Sequence, residues 1–445
     1  ISTAAAALPK LKGHGELTDL QVAMTSDATL LSRVTSFNNL PMTRTWSQLK
    51  DAADDILYRW AKVDGVAATP MVRGDITFDR QKLAFLEKFF GQQLAPRDAS
   101  GAPTTTNLKE IVDSWNDVLD KATARLAILG PYKNVFTPVS FDFAKDDFAA
   151  KNATSLTDTF KLMFAQLSTT ASTAQTQWNS IWAPLATELM DSMMRPDKVY
   201  VKNDYAIASL LAATENSASP LSLNQLITGL NIPYTQVGTS AAETLTRSTS
   251  ATAKDSAIYI GGEGNDTLKG GTGQDVYVFG KRFGQDIIDE SDNYSSGDRI
   301  RFTAHNYEDV VFSRVGTDLV IKLKNGTDSI TIDDQLATPK VALGGAQISA
   351  DYRIEDIQFA NGKIFTLGEI AAELGRGTAA SETINGTGQQ DEFEGLGGND
   401  TLIGGDNGDI YYFSRGDGQD VIRDSMATAG MTEADTIILD GFSLR

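Results

Sequence analysis

The 445-residue chain contains no cysteine and only two histidines, His14 and His305. Thiolate zinc sites, thiol nucleophiles and disulfides are therefore excluded, as is any metal site built from several imidazoles. The chain also lacks an apolar run of the roughly 20 residues that a membrane-spanning helix needs. The G-K-[ST] loop, the H-E-x-x-H motif and the G-x-S-x-G elbow are absent too. The sequence therefore predicts no transmembrane span and no catalytic residue, and His14 is interpreted as a loop residue.

Basic side chains are scarce relative to acidic ones. Lys and Arg number 39 against 58 Asp and Glu, which gives a net charge of −19. Nucleic acids and anionic membranes would be repelled, so both are excluded as main partners. The net negative charge is consistent with a protein that binds cations. Because the chain begins at Ile1 and ends in "DGFSLR" as a strand-like run closes, we expect a piece of a longer protein.

Composition changes near residue 235. All five tryptophans precede that point, and most of the 38 glycines follow it. Residues 1–235 repeat the apolar period of an amphipathic helix, most clearly between Leu108 and Leu129, and predict an α-helical domain. The predicted helical stretches, besides that one, are 17–37, 45–62, 79–94, 146–168, 173–191, 204–214 and 222–230. The segment 236–257 is interpreted as a linker or a degenerate first turn.

The second half of the chain repeats itself. Gly264-Asn265-Asp266-Thr267 returns at 398–401, an offset of 134 residues (398 − 264), so one module occurs complete and then cut short. Between the copies, "DLVIKL", "DSITIDD" and "YRIEDIQFANGKIFT" predict strands, and 367–374 predicts a short helix.

Each module contains the phrase G-G-x-G-x-D-x-U-x, in which U is a large apolar residue. It occurs at 261–269, 270–278, 386–394, 395–403 and 404–412. Each nonapeptide predicts one tight turn and one short strand of a parallel β-helix, with two nonapeptides to a coil. The glycines permit positive φ and close stacking of turns, while the apolar residues Leu268, Tyr277, Leu402 and Tyr411 are expected to point inward.

The aspartates and backbone carbonyls of neighbouring turns should face a common gap. A cage of oxygen atoms alone favours calcium over magnesium. The predicted calcium site is formed by Gly262, Gly264, Asp266, Gly271, Gly273, Asp275, Asp391, Gly397, Asp400 and Asp409. Gln389 and Asn407 replace glycine in two turns, and Glu382 replaces aspartate in a preceding degenerate turn.

A second set of acids follows each block of repeats. It consists of Asp286, Asp289 and Asp292 after the first block, then Asp420 and Asp424 after the second. These residues form either a solvated strand edge or a further calcium site that terminates the coil. The sequence leaves both interpretations open.

At these residues the chain resembles the RTX (repeats-in-toxin) family of haemolysin-type calcium-binding exoproteins. "DVYVFGKRFGQDIIDES" and "YRIEDIQFANGKIFTLGEI" are similar to the accessory region of such repeats. "ILYRWAKVDGV" and "DRQKLAFLEKFFGQQL" are similar to a region of large members, including iron-regulated and rhizobiocin-like RTX proteins. The resemblance implies Ca²⁺-binding β-rolls, type I secretion from a Gram-negative cell in the unfolded state, and folding outside it.

The expected fold class is multidomain α + β, an α-helical domain followed by parallel β-rolls. The expected domains of the second half are 258–302, the first β-roll; 303–376, a β-rich accessory region; and 377–445, a truncated second β-roll. The leading functional hypothesis is that the chain is a non-enzymatic calcium-binding segment of a large secreted exoprotein, which is adhesin-like or toxin-like. Its expected partners are the type I secretion machinery and a host-cell or bacterial surface. The alternatives are an RTX-tagged secreted enzyme and a calcium-stiffened surface-layer or filament subunit.

Overall fold

A computed structural model describes most of the chain. It covers residues 3–67, 70–73, 76–92, 94, 105–193, 199–232, 234–246, 256–271, 273–290, 297–336, 353–386, 390–405, 408–424 and 434–441. The chain divides into two compact units, Ile1–Asn231 and Ile232–Arg445. Helices predominate in the first unit and parallel strands in the second, so the fold is α + β.

The first unit combines helices with two short β-hairpins. Its helices are α1 Thr3–Ala6, α2 Leu20–Ser26, α3 Ala28–Asn38, α4 Trp46–Trp60, α5 Arg80–Phe90, α6 Thr105–Leu129, α7 Ser155–Phe164, α8 Ala171–Gln177, α9 Ala183–Met193, α10 Val199–Glu215 and α11 Leu223–Leu230, with a π-helical turn at Trp178–Trp182. Its strands are β1 Pro70–Arg73, β2 Ile76–Asp79, β3 Val139–Asp142 and β4 Asp147–Ala150.

Local sequence sets where these helices begin. Thr45 and Gln48 form a capping box at the start of α4, which satisfies two backbone groups that the first turn leaves unpaired. Asp27 ends α2 and caps α3, its carboxylate accepting a hydrogen bond from Leu30 N at 2.9 Å. The single apolar pattern at 17–37 is therefore divided between two helices.

One helical prediction is wrong at its N-terminal end. The stretch predicted as helical from residue 146 begins in a β-hairpin, β3–β4, and α7 starts only at Ser155. Phe141 pairs with Phe148 across this hairpin, with ring centroids 5.1 Å apart. Cross-strand aromatic packing of this kind stabilises a hairpin where the helical pattern is weak.

The second unit is built from short strands, most of them parallel. They are β5 Thr235–Val237, β6 Thr244–Thr246, β7 Ile258–Ile260, β8 Thr267–Lys269, β9 Val276–Phe279, β10 Gln285–Asp289, β11 Arg299–Phe302, β12 Val310–Val315, β13 Asp318–Leu323, β14 Ser329–Ile332, β15 Asp356–Gln358, β16 Ile364–Thr366, β17 Thr383–Asn385, β18 Glu392–Glu394, β19 Thr401–Ile403, β20 Ile410–Phe413, β21 Val421–Arg423 and β22 Thr436–Leu439, with helix α12 at Leu367–Leu374.

Consecutive strands of the coil alternate between two sheets. The first module has sheets of order β12-β13-β14-β10-β8-β6 and β16-β15-β11-β9-β7-β5, and the second has β17-β19-β21 and β18-β20-β22. Because β7, β9 and β11 pair in parallel on one side and β6, β8 and β10 on the other, the chain winds as a flattened coil. Leu268 and Tyr277 are fully buried in its thin core.

The ends of the first coil differ from its middle. Strands β5 and β6 pair in parallel with β7 and β8. They lie at the end of the predicted helical domain and in the segment interpreted as a linker or a degenerate first turn. Residues 247–255 of that segment lie outside the described part of the chain. At the other end, an antiparallel hairpin extends each sheet. The predicted strands at "DLVIKL" and "DSITIDD" and the helix at 367–374 are confirmed as β13, β14 and α12.

Candidate metal centre

The glycines of the nonapeptides shape the turns in two ways. Gly262 and Gly273 adopt positive φ of 100° and 129°, which side chains disfavour. Gly264 and Gly284 lie so close that a Cβ on Gly284 would be 1.5 Å from Gly264 O, so adjacent turns stack backbone on backbone. Gly397 is less constrained, since the nearest atom to an added Cβ is 3.6 Å away.

The aspartates of the first module form two hydrogen-bonded ladders, one on each side of the coil. In one ladder, Asp266 Oδ1 accepts from Glu243 N, and Asp266 N donates to Asp286 Oδ1, both at 2.8 Å. In the other, Asp275 Oδ1 accepts from Ala257 N, and Asp275 N donates to Asp298 Oδ1, both at 2.7 Å. Each carboxylate is thus oriented by the backbone of the preceding coil.

The second module repeats this arrangement. Asp400 Oδ1 accepts from Glu382 N at 2.8 Å, and Asp400 N donates to Asp420 Oδ1 at 2.9 Å. On the opposite side, Asp391 N donates to Asp409 Oδ1 at 2.8 Å, and Asp409 N donates to Asp435 Oδ1 at 3.1 Å. Four ladders of carboxylates therefore line the turns.

The second carboxylate oxygen, Oδ2, indicates what these aspartates can bind. Within the described part of the chain, Oδ2 of Asp266, Asp286, Asp400 and Asp409 is buried and has no hydrogen-bond partner. Burial raises the pKa of Asp286 to about 7 and that of Asp409 to about 6. A buried carboxylate that keeps its charge needs a compensating cation, and oxygen donors of this kind suit Ca²⁺. The residues present fit a calcium ion, which would neutralise the ladders.

A Cβ on the first glycine of a nonapeptide would occupy the space of these oxygens. On Gly395 it would lie 2.7 Å from Asp400 Oδ2, and on Gly261 it would lie 2.6 Å from Asp266 Oδ2. In the second turn, Gly271 N donates to Asp275 Oδ2 at 2.9 Å. Glycine is required at Gly261 and Gly395 because the carboxylate of the same turn folds back over it.

The acids that follow the repeats separate into different environments. Asp286 and Asp420 are ladder members. Asp289 is not, because it forms an ion pair with Lys269 on the neighbouring strand at 2.6 Å. Asp424 lies outside the ladders but close to Asp409 and Asp435, and Asp292 lies outside the described residues.

The sequence motif missed several ladder members, of which Glu382 was expected only as a substitute for aspartate in a degenerate turn. Glu243 and Glu382 begin ladders, and each turns its carboxylate back onto its own turn, accepting from Thr239 N and Thr378 N at 2.6 Å. Asp298, Asp435 and Glu355 were also missed; Asp298 N donates to Glu355 Oε2 at 2.5 Å. The two aspartates could have been found from the spacing D-x-U, since each precedes an isoleucine by two residues just as Asp275 precedes Tyr277.

The first unit contains a cleft of about 560 Å³. His14 lies in a loop on its wall, with Nε2 3.6 Å from Asp146 Oδ2, and Arg125 pairs with the same carboxylate at 3.3 Å. Burial raises the pKa of Glu188, which also lines the cleft, to about 7. His14 and Arg125 are therefore both engaged by the Asp146 carboxylate. In the described parts of both units, no helix has the length and apolar character needed to cross a membrane.

Family models match three parts of the second unit. The RTX calcium-binding nonapeptide repeat matches residues 258–281, 376–411 and 385–422, and the haemolysin-type calcium binding protein related domain matches residues 318–368. Iron-regulated protein FrpA of Neisseria meningitidis serogroup C is 33% identical over 112 residues, which is 24% of this chain and 9% of that protein. The chain therefore spans about a tenth of that relative.

Among solved structures, the extracellular lipase LipA from Serratia marcescens is similar over 46% of this chain and 32% of its own, at 16% identity and a TM-score of 0.19. A likeness at that score supports no conclusion about fold or activity. The repeat matches coincide with the turns that carry the aspartate ladders. The second unit therefore contains RTX haemolysin-type nonapeptide repeats, and these repeats bind Ca²⁺.

Proposed function

We propose that this chain is a calcium-folded segment of a large RTX exoprotein, in which the two modules form β-rolls. The observation that supports this proposal is the set of ladders with buried carboxylate oxygens that have no protein partner in the described residues. The segment itself is non-enzymatic and serves an adhesin-like or toxin-like protein. It acts at a host-cell or bacterial surface.

The ladders give a physical reason for the secretion route. Where calcium is scarce, uncompensated buried carboxylates oppose folding, so the modules stay unfolded and can pass through the type I machinery of a Gram-negative cell. Extracellular calcium modules typically bind with dissociation constants of about 10⁻⁴–10⁻³ M, and binding then supplies the free energy of folding. Calcium outside the cell would thus couple export to folding.

A matched pair of substitutions in the first module tests the ladder assignment. Asp266→Asn removes a ladder charge, whereas Asp289→Asn removes an equal charge that is already paired with Lys269. Isothermal titration of the full chain with calcium should show affinity lowered by about tenfold or more for Asp266→Asn. Asp289→Asn should bind like the unmodified chain. Equal effects of the two variants would contradict the assignment.

Secretion and the absence of catalysis need separate tests. The full chain, expressed with a type I transporter, should appear in the medium, and retention in the cell would contradict the proposed route. The paired charges of the cleft, such as Arg125 with Asp146, support a structural role for it. A hydrolase substrate screen on the calcium-loaded chain should show no turnover, and turnover that His14→Ala abolishes would overturn this part of the proposal.

A further inference from the structure

The outer edge of β22 is open in the described part of the chain. This strand is the last of its sheet, in the order β18-β20-β22. Thr436 N donates to Asp409 O at 2.8 Å on the β20 side, and the backbone groups of neighbouring residues in a parallel strand point to opposite edges. Ile437 and Leu439 therefore direct their N–H and C=O groups away from β20. Such an edge is a template for pairing with another strand.

The apolar side chains of β22 are exposed. Ile437 stands opposite Tyr411 on β20, at a position that faces the core of the coil, yet it is 57% exposed whereas Tyr411 is 1% exposed. Leu439, on the same face of the strand, is 59% exposed, and Ile438, on the other face, is 39% exposed. Neighbouring exposed apolar side chains of this kind mark an interaction surface.

The first module shows how an equivalent edge is covered. Its strand β11 holds the place of β22, because Ile300 pairs with Tyr277 as Ile437 pairs with Tyr411. Strand β15 adds to β11 in parallel and sets Ile357 opposite Ile300, and both isoleucines are fully buried. An added strand thus turns an exposed apolar edge into core. Among the described residues, β22 has no strand that corresponds to β15.

Charge on the outward-facing side chains selects which strand is added. On the outer side of β15, the carboxylate of Asp356 accepts hydrogen bonds from Arg299 of β11 at 2.5 and 2.8 Å. In β22 the position of Arg299 is taken by Thr436. The second module therefore lacks the cation that attracts an acidic strand.

A groove of about 550 Å³ lies beside β22, whose Ile438 lines it. The acidic residues that line this groove outnumber the basic ones. The acids are Glu369, Glu373, Glu392, Glu394 and Asp440, and the bases are Lys363 and Arg376. Arg376 Nε lies 3.5 Å from Glu394 Oε2, and Lys363 Nζ lies 4.0 Å from the ring centroid of Tyr307. The groove thus already holds an ammonium group against an aromatic ring, and its net negative charge attracts further cations.

We propose that the open edge of β22 binds an extended segment of a partner protein in which apolar residues alternate with lysine or arginine. Side chains of a strand alternate between faces, so the apolar residues of the segment cover Ile437 and Leu439 while its basic residues face the groove. A second copy of this chain is a poorer partner, because its net charge is −19 and it presents the same acids. The inference goes beyond the proposed function and needs the second module to be folded by calcium.

Fluorescence anisotropy of a labelled peptide of alternating valine and lysine, titrated with the calcium-loaded full chain, tests the inference. The control peptide has the same composition, with its valines and lysines in two separate blocks. It should bind about tenfold more weakly or worse, because only the alternating peptide can divide its apolar and basic side chains between the two faces of an added strand.

The variant Ile437→Glu distinguishes strand addition from general charge attraction. It adds an acid, which strengthens a purely electrostatic contact, but it removes apolar surface that the added strand covers. Binding of the alternating peptide should therefore weaken by about tenfold or more. Asp440→Asn should weaken binding by about two- to fivefold, as expected for one exposed charge pair. Asp51→Asn, at an exposed acid on α4, is its charge-matched control and should bind like the unmodified chain.

Three results would overturn the inference while the proposed function stands. They are tighter binding by Ile437→Glu, equal binding of the two peptides, and no binding of the alternating peptide. A calcium-loaded dimer in light scattering that Ile437→Glu dissociates would also overturn it, because the edge would then belong to a second copy. Far-ultraviolet circular dichroism of each calcium-loaded protein verifies that the strands have formed. A chain that gains no strands in calcium would contradict the proposed function, and the inference would fail with it.

Discussion

Removing calcium at neutral pH should unfold the second unit and leave the first unit folded. Oδ2 of Asp266, Asp286, Asp400 and Asp409 would then be buried without a partner. Each buried unsatisfied polar group costs about 1–3 kcal/mol, and more when it is charged. Four such groups cost about 4–12 kcal/mol, which matches the roughly 5–15 kcal/mol by which a whole domain is stable.

We expect the first unit to fold without calcium. Its core is made of apolar helix faces, as in α4, where Leu49, Ala53 and Ile56 are buried at helical spacing. Burial of a leucine or isoleucine side chain stabilises the fold by about 1.5–3 kcal/mol. Chelation leaves these contacts unchanged, so the first unit should remain folded.

Two spectroscopic signals separate the units. All five tryptophans lie in the first unit, and Trp115, Trp178 and Trp182 are at most 2% exposed. Adding a calcium chelator to the full chain should therefore remove most of the β-strand signal in the far-ultraviolet spectrum, leaving that of the first unit's two hairpins, without shifting tryptophan emission. Magnesium in place of calcium is the control and should not restore the strands. A shift of tryptophan emission with the same midpoint, or an unchanged β-strand signal, would refute the reasoning.

Three further predictions concern the second unit. With calcium chelated, the second unit should be more stable at pH 4–5 than at pH 8. Burial raises the pKa of Asp286 to about 7, so its contribution to stability is complete below its unfolded pKa of about 4 and is lost as pH rises through 7. A urea midpoint that rises with pH would contradict this. With calcium bound, Ile300→Ala should lower the free energy of unfolding by about 2–4 kcal/mol and Ile437→Ala by less than about 1 kcal/mol, because Ile300 is fully buried and Ile437 is 57% exposed. Equal losses in urea unfolding would contradict this and would show that Ile437 is buried in solution. Gly395→Ala should weaken calcium binding in calorimetry, because its Cβ displaces Asp400, whereas Gly368→Ala, in open space on α12, should not.

The repeat, the inward-facing residue and the class of metal could be predicted from the sequence. Spacing alone places Leu268 and Tyr277 inside the coil, because a strand that follows a fixed turn must point the same residue inward each time. The absence of cysteine and the scarcity of histidine leave oxygen as the donor, which predicts calcium. These conclusions depend on local geometry that each nonapeptide repeats.

The sequence also carried a signal that distinguishes Asp286 from Asp289. Side chains on a strand alternate between faces, so Asp286 shares the inner face with Ile288, whereas Asp289 points to the other face, where Lys269 pairs with it. Grouping the two acids by proximity in sequence ignored this period. The period of two would have assigned them to different environments.

Only the tertiary structure decided which carboxylates meet. Asp391 and Asp409 are 18 residues apart along the chain, Asp275 and Asp298 are 23 apart, and Asp409 and Asp435 are 26 apart, yet each pair forms the same ladder contact. Parallel strand pairing sets the distance between coils, and a loop between coils can lengthen without changing it. Sequence spacing therefore identifies ladder members inside the regular repeats. Beyond them, the stacking of the coils brings the carboxylates together.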